Sequence, residues 1–247
     1  MPVQKYDAIG DSYNDVPEIA TGKLQLAAMQ SLIGDVKGLT ILELACGPGF
    51  YCRKAIEWGA HHATGVDISP AMVEAARACA KGDKRMEFHL ADCSQPFNFG
   101  QFDVVLAPWL LNYARNEKEL IGMWRNIYNS LKPGGKIIGM SPNLDLLDDP
   151  SGFPPGPYFG QGFKVVGEIE DGGLEVRATL YTPTPFSFTN YYLPSVLYQK
   201  SCLLAGLRDF RWTSYPDALL GDVDWDAFLR CPPFMTFTAV RPLDVLK

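Results

Sequence analysis

Between residues 40 and 140, short apolar runs alternate with longer stretches of helical spacing, and that alternation leaves few folds open. The runs cover residues 40–45, 63–67, 86–90, 102–107 and 136–140. Strands that are apolar along most of their length are buried on both faces, as in a parallel sheet with helices on either side. Ser69 followed by Pro70 supplies an N-cap and a first helical residue, so a helix is expected from there through Ala80. Other helices are expected over residues 50–58 and about 117–131, the latter ahead of the turn Lys132-Pro133-Gly134-Gly135. A helix over about residues 18–33, with Ile19, Leu24, Ala27, Ala28 and Leu32 apolar, precedes the first run and closes at Gly34.

Residues 141–190 break the rhythm. Prolines crowd a stretch that holds Phe153, Tyr158, Phe159 and Phe163, and two β-like runs (164–170 and 174–181) flank Asp171-Gly172-Gly173 as a hairpin. The stretch is too short and irregular to bury its own core, so it reads as an antiparallel insertion. A helix over about 194–205 follows, stopped by Gly206, and residues 208–214 and 234–240 are expected to close the sheet as an antiparallel pair. The expected fold is α/β, a seven-stranded sheet with helices on both faces. It forms one domain over residues 1–247, with a helical N-terminal cap at 1–36 and the insertion at 141–190.

Composition narrows the partners. With 47% hydrophobic residues, 20% charged residues and a formal net charge of −6, the chain has no basic stripe for nucleic acid. It has no apolar span of about eighteen residues, so no membrane partner is expected. The opening Met1-Pro2-Val3-Gln4-Lys5 lacks the apolar core of a signal peptide, and a cytoplasmic place is expected. Cys46, Cys52, Cys79, Cys93, Cys202 and Cys231 form no Cys-x-x-Cys pair, so free thiols and no metal are expected.

The first apolar run ends in Cys46-Gly47-Pro48-Gly49 ahead of a helix. Glycine lets backbone approach a ligand, and the first N–H groups of a helix are free to donate to it. A dinucleotide fingerprint would read Gly-x-Gly-x-x-Gly, and here Cys52 stands in place of the third glycine. Asp67 ends the next strand, where a ribose diol needs a bidentate acceptor. Asp92 follows the third strand, where it could accept from an adenine amino group. Glu43 lies within the first strand. The loop and the two acids at successive strand ends carry the signal together.

These residues resemble those of class I S-adenosylmethionine (SAM) dependent methyltransferases over roughly residues 35–140. The matching segments are Ile41-Leu42-Glu43-Leu44-Ala45-Cys46-Gly47-Pro48-Gly49, Gly65-Val66-Asp67-Ile68-Ser69, Ala91-Asp92-Cys93, Phe102-Asp103-Val104-Val105 and Leu131-Lys132-Pro133-Gly134-Gly135. More narrowly, Tyr6-Asp7-Ala8-Ile9-Gly10, Glu87-Phe88-His89 and Trp109-Leu110-Leu111-Asn112-Tyr113-Ala114 are similar to small-molecule methyltransferases of natural-product pathways, of the toxoflavin-pathway kind.

The resemblance implies a Rossmann-like sheet, SAM as cofactor, and transfer of a methyl group to a nitrogen or oxygen of a small molecule, in secondary metabolism. It implies that Ala45, Gly47 and Gly49 lie against the methionine and ribose, with Glu43 beside them. Asp67 would hold the ribose hydroxyls, with Ile68 and Met72 next to it, and Asp92 and Cys93 would line the adenine. Ala107 and Trp109 would face the sulfonium, with Tyr6 and Tyr13 closing over the site. Substrate would meet Trp109, Asn112 and Tyr113, under a lid built from Phe153, Tyr158, Phe159, Tyr191 and Tyr192. A monomer or a homodimer fits equally.

Each of these residues also has a plainer reading, as a turn glycine, a strand-end cap or a core aromatic. His61 and His62 precede the second strand, away from the ligand edge, and His89 reads as a core or sheet-face residue. Cys46 sits where small residues generally fill the loop. Tyr128 and Lys132 have the spacing of a short-chain dehydrogenase pair, but Lys132 belongs to the turn at the far end of its helix. No dedicated general base stands out, so no catalytic residue is assigned. Two other readings stand beside the transferase: an NAD(P)-dependent oxidoreductase, and a SAM-binding fold turned to a non-methylating or regulatory use.

Overall fold

The computed structural model describes residues 15–144, 156–213, 215 and 224–244. Ten strands and six α-helices follow one another along it. Helix α1 (Ala20–Ile33) precedes strand β1 (Thr40–Leu44), α2 (Phe50–Glu57), β2 (His62–Asp67), α3 (Pro70–Cys79), β3 (Met86–Leu90) and β4 (Phe102–Pro108). Next come α4 (Glu117–Ser130), β5 (Leu131–Pro142), β6 (Gln161–Glu168), β7 (Leu174–Leu180) and β8 (Phe186–Tyr192). The described chain ends with α5 (Ser195–Leu204), β9 (Arg208–Thr213), α6 (Trp225–Arg230) and β10 (Phe234–Val240).

Seven strands form one sheet in the order β3-β2-β1-β4-β5-β10-β9. The five strands from β3 to β5 run parallel, whereas β10 pairs antiparallel with both β5 and β9. The chain therefore travels outward from β1 through β2 to β3, then restarts on the other side of β1 with β4. Where the direction of travel reverses, the loops leaving β1 and β4 diverge and open a crevice at the carboxyl ends of the strands. The closing pair expected over 208–214 and 234–240 is present as β9 and β10, in register from Thr236 against Thr213.

The two faces of the sheet are sorted by residue parity. On β4, Val104 and Leu106 face the layer of α1, α2 and α3, while Val105 and Ala107 face α4 and α5. Ser69 caps α3 as expected, its Oγ accepting the Met72 N–H at 3.2 Å. Asn116 does the same for α4, accepting the Glu119 N–H at 3.0 Å. The Lys132–Gly135 turn is a local detour within β5, where the pairing with β4 jumps from Phe102↔Leu131 to Val104↔Lys136.

Residues 161–192 form a separate antiparallel sheet in the order β6-β7-β8. The expected hairpin of β6 and β7 is there, with Asp171 at φ 59° in its turn. Strand β8 goes beyond the expectation from sequence, although Phe186, Phe188, Asn190 and Tyr192 alternate with smaller or more exposed residues as a half-buried strand should. The short helix α6 goes beyond it too.

On the α4 and α5 side, Phe237 of β10 is fully buried and touches Trp124, Tyr198, Phe210 and Trp212 through ring contacts between 5.5 and 6.4 Å. Truncating such a ring removes its transfer energy and leaves a cavity. Phe237→Ala is expected to cost about 3–5 kcal/mol, read as a lower denaturant midpoint with an unchanged slope.

Candidate active site

Two acidic side chains from neighbouring strands fasten the turn between β1 and α2. Asp67, at the end of β2, accepts the Gly47 N–H at 2.8 Å through one oxygen and the Ser69 N–H at 2.9 Å through the other. Glu43 of β1 accepts the Cys52 N–H, in the first turn of α2, at 2.7 Å. The turn itself needs left-handed backbone, with φ 53° at Ala45, 51° at Gly47 and 74° at Gly49. At Gly49 the side also matters, because a Cβ there would stand 2.6 Å from the Phe88 ring. Phe88 thus sits directly against the turn, and any larger residue at 49 would push the loop off its strand.

Glu43 is 2% exposed, and burial pushes its carboxyl up to about 7 against the hydrogen bonds from Cys52 and Tyr51 and the Arg53 charge. Burial likewise raises Cys46 well above its ordinary range and Cys93 to about 12, so both are thiols.

Two cavities open along the carboxyl edge. The first, about 650 Å³, lies over the turn and is lined by Glu43, Ala45, Gly47 and Arg53 among others. The second, about 450 Å³, lies against the β6-β7-β8 sheet, walled by Tyr113, Phe163 and Phe188. Val16, Gln25 and Trp109 belong to both walls. Trp109 leaves β4 with φ 62°, and its indole N–H donates to Gln25 Oε1 at 3.2 Å. Turned that way, the indole stands edge-on to Phe234 and separates the two spaces.

A family of methyltransferase domains matches residues 41–135, the stretch from β1 into β5 that supplies most of the first cavity's wall. Over that stretch the chain is similar to methyltransferase domains. The demethylmenaquinone methyltransferase of Lactococcus lactis is 31% identical over 141 residues, 54% of this chain and 55% of that protein. The ribosomal protein L11 methyltransferase of Tolumonas auensis is 36% identical over 113 residues, 44% of this chain and 38% of its own. The chain thus spans about half the length, or less, of these relatives. A SAM-dependent methyltransferase of known structure from Mesorhizobium loti has the same fold, with a TM-score of 0.63 and 18% identity over 88% of this chain and 98% of the other.

Within the matched stretch, Glu43, Ala45, Gly47 and Trp109 of the sequence-derived cofactor residues line the first cavity. Gly49 stands just behind the wall, at the N-cap of α2. Asp67 and Ala107 are buried at the strand ends behind it, and Met72 is buried in α3. Asp92 accepts the Ser94 N–H at 2.8 Å in the turn after β3, next to buried Cys93, and Ile68 follows Asp67. Tyr6, Tyr13 and Phe153 lie outside the described residues.

On the substrate side, Trp109 and Tyr113 line the second cavity. Asn112 stands one layer behind it, fully buried, and reaches the wall through Asn190. Tyr158 and Phe159 do not reach this wall. The Tyr158 hydroxyl donates to the Ala227 carbonyl at 2.7 Å and Phe159 packs edge-on to Phe228, both on α6. Tyr191 points to the other face of β8, under Arg115 at 5.5 Å, because side chains alternate along a strand and its neighbours Asn190 and Tyr192 take the cavity side. The oxidoreductase pair is also used up. Lys132 is bonded to Asp103 at 2.9 Å, near the start of β4, and Arg241 covers Tyr128. His89 is stacked on Phe99 at 4.4 Å. Among the described residues no cluster suited to a metal ion is found.

Sequence reasoning missed Gln25, Arg53, Gln161 and Asn190. Gln25 shares the buried face of α1 with Leu24 and Ala28, and a glutamine on an apolar face was the available signal. Asn190 carried the same kind of signal once β8 is seen as a strand.

The raised carboxyl of Glu43 has a testable cost. Its folded pKa of about 7 exceeds the ordinary 4.5, so folding takes up a proton between those values. Stability from this group is complete below pH 4.5, falls as pH rises, and is gone above about 7, a total of about 3 kcal/mol. Denaturation at pH 5 and pH 8 is expected to show wild type losing stability relative to Glu43→Gln, by about 2–3 kcal/mol. Parallel pH profiles for the two proteins would contradict this.

Proposed function

We propose that this chain is a SAM-dependent methyltransferase that transfers a methyl group to a nitrogen or oxygen of a small molecule, in secondary metabolism. The observation that carries this reading is the pair of cavities that share Trp109, Gln25 and Val16 as one wall. One cavity suits the cofactor, the other the acceptor, and a methyl group has only that wall to pass.

The first cavity fits SAM by its chemistry. Glu43 and Arg53 bring a carboxyl and a guanidinium to one end, groups that suit an amino acid's ammonium and carboxylate. The turn between them is held open by left-handed backbone, which leaves room for a ligand against the main chain. Asp67 would take the ribose hydroxyls and Asp92 with Cys93 the adenine, with Ile68 and Met72 alongside. Tyr6 and Tyr13 remain proposed cover for this site.

When bound, SAM supplies a methyl group already activated on a sulfonium, so the protein's task is to position and desolvate. The Trp109 indole offers a π face to a methyl-sulfonium cation. Burial raises the Tyr113 phenol well above its ordinary range, so it stays neutral and takes no proton. No carboxylate, imidazole or amine lines the second cavity among the described residues. The acceptor atom must therefore be nucleophilic without a protein base. The net charge of −6 argues against nucleic acid, and among the described residues no helix is long and apolar enough to cross a membrane. A monomer and a homodimer remain equally compatible with this site.

Calorimetric titration with SAM, S-adenosylhomocysteine and NADH tests the reading. Wild type is expected to bind the first two at micromolar concentration and not NADH. Asp67→Ala should lose at least about tenfold, since it frees the Gly47 and Ser69 amides as well. Gly22→Ala should weaken binding too: its Cβ would meet the Val16 carbonyl oxygen at 2.0 Å and displace the segment that walls the cavity. Binding of NADH alone would overturn the reading. Binding of SAM without methyl turnover on any acceptor would move the chain to the non-methylating use of the fold.

A further inference from the structure

The second cavity bears on the acceptor's own chemistry. Calling its occupant the acceptor rests on the methyltransferase reading, whereas the physics of the cavity does not. Among the described residues, every side chain lining it is uncharged: Gln25, Trp109, Tyr113, Gln161, Asn190 and Tyr192 carry its polar groups, and the others are aromatic or aliphatic. Its phenols do not change that, because burial holds both Tyr113 and Tyr192 in their neutral form. An isolated carboxylate, phosphate or ammonium brought here would lose its water and gain no counter-ion from the wall, which costs several kcal/mol.

The polar groups are also oriented. An indole N–H can only donate, so the 3.2 Å contact with Trp109 fixes Gln25 with its oxygen toward the ring and its NH2 group free for the cavity. Asn190 is fixed by a second carboxamide: its Oδ1 accepts from Asn112 Nδ2 at 2.8 Å, and both residues are buried. This orientation leaves only the Asn112 Oδ1 unpaired, whereas the reverse would strand an NH2 group with two donors in the same enclosed place. Asn190 therefore also offers its NH2 to the cavity. Gln161, 4% exposed and held by its backbone to Tyr158, adds a third carboxamide. Phe163 of β6 and Phe188 of β8 supply the flat apolar surface between them.

We propose that the second cavity binds an uncharged ring compound that presents carbonyl or ring-nitrogen acceptor atoms to the carboxamides of Gln25 and Asn190, with Gln161 as the third contact. Compounds carrying a carboxylate, phosphate or ammonium group on the bound ring are refused. Gln25 touches both ligands under this scheme, since it also lines the cofactor cavity and orients Trp109. It is thus a specificity-determining residue at the point of transfer.

Paired probes test this by calorimetry on the full chain: 2-quinolone against 2-quinolone-4-carboxylate, and coumarin against coumarin-3-carboxylate. Each is titrated with and without saturating S-adenosylhomocysteine. The neutral member of each pair is expected to bind at least about tenfold more tightly than the acid. Gln25→Glu and Asn190→Asp keep the shape but replace a donor with an acceptor. Each should lower affinity for the neutral probes by about tenfold or more, read below the lowered melting temperature that a buried acid brings, where circular dichroism shows the variant folded. Equal or better binding of the acids would overturn the proposal. So would full affinity in both variants, or no binding of either neutral probe. Failure of S-adenosylhomocysteine to bind would instead count against the cofactor assignment, because the probe titrations without it still read the cavity.

Discussion

The turn after β1 depends on two carboxylates accepting its backbone N–H groups. A chain that leaves a parallel strand and starts a helix within a few residues presents several amides with no partner of their own. Glu43 and Asp67 take three of the nearby ones, at Cys52, Gly47 and Ser69. Because the acids come from adjacent strands in register, with Glu43 opposite Gly65 on β2, the sheet itself sets the shape of the turn. The cost is visible at Glu43, whose carboxyl is pushed up to about 7 by burial. A buried acid kept at that cost, beside a cavity that also holds Arg53, makes sense where a charged ligand completes the electrostatics.

The second cavity depends on the first through Trp109. Strand β4 ends beside β1 at the reversal of the sheet, so the segment leaving it must cross the mouth of the first cavity. The left-handed backbone at Trp109 turns the chain there, and the next residues enter the short helical turn Leu111–Tyr113. That turn meets β8 through the Asn112–Asn190 bond, which ties the three-stranded sheet to the main one at the depth of the site. The small sheet thus has a mechanical reason to lie where it does, and its inner face becomes the outer wall of the second cavity.

Much of this architecture is legible in the chain because it is local. Strand β3 falls at residues 86–90 as read from the sequence, and α3 starts where Ser69 and Pro70 say it should, since apolar runs and caps act within a few residues. The Gly47 turn and Asp67 are legible for the same reason, as they meet across neighbouring strands. What escaped is set by pairing at long range. Whether Tyr191 or Tyr192 faces the cavity is a matter of one residue's parity on β8, and parity is decided by the register with β7, not by either tyrosine. Tyr158 and Phe159 carry the aromatic character of a lid, yet α6 claims both. Gln25 shows in the sequence only as a glutamine on an apolar helix face, and it becomes meaningful when the Trp109 indole, 84 residues away, is found to need an acceptor.

The two cavities differ in charge, and that difference supports a division of labour. A carboxyl at Glu43 and a guanidinium at Arg53 suit a zwitterionic ligand end, while the described side chains around the second space carry no charge to trade with an ion. On the methyl-transfer reading, the two arrangements suit one reaction. A sulfonium desolvated near neutral carboxamides and aromatic faces is a stronger electrophile toward its neighbour than one shared with water or a carboxylate. With no base among the described residues of that wall, an acceptor that is not ready is not ionised by them. Selectivity then falls to hydrogen-bond direction, the donors of Gln25 and Asn190 against the acceptor atoms of the ring, so that geometry brings the right atom to Trp109 while chemistry at that atom is left to the ligands themselves.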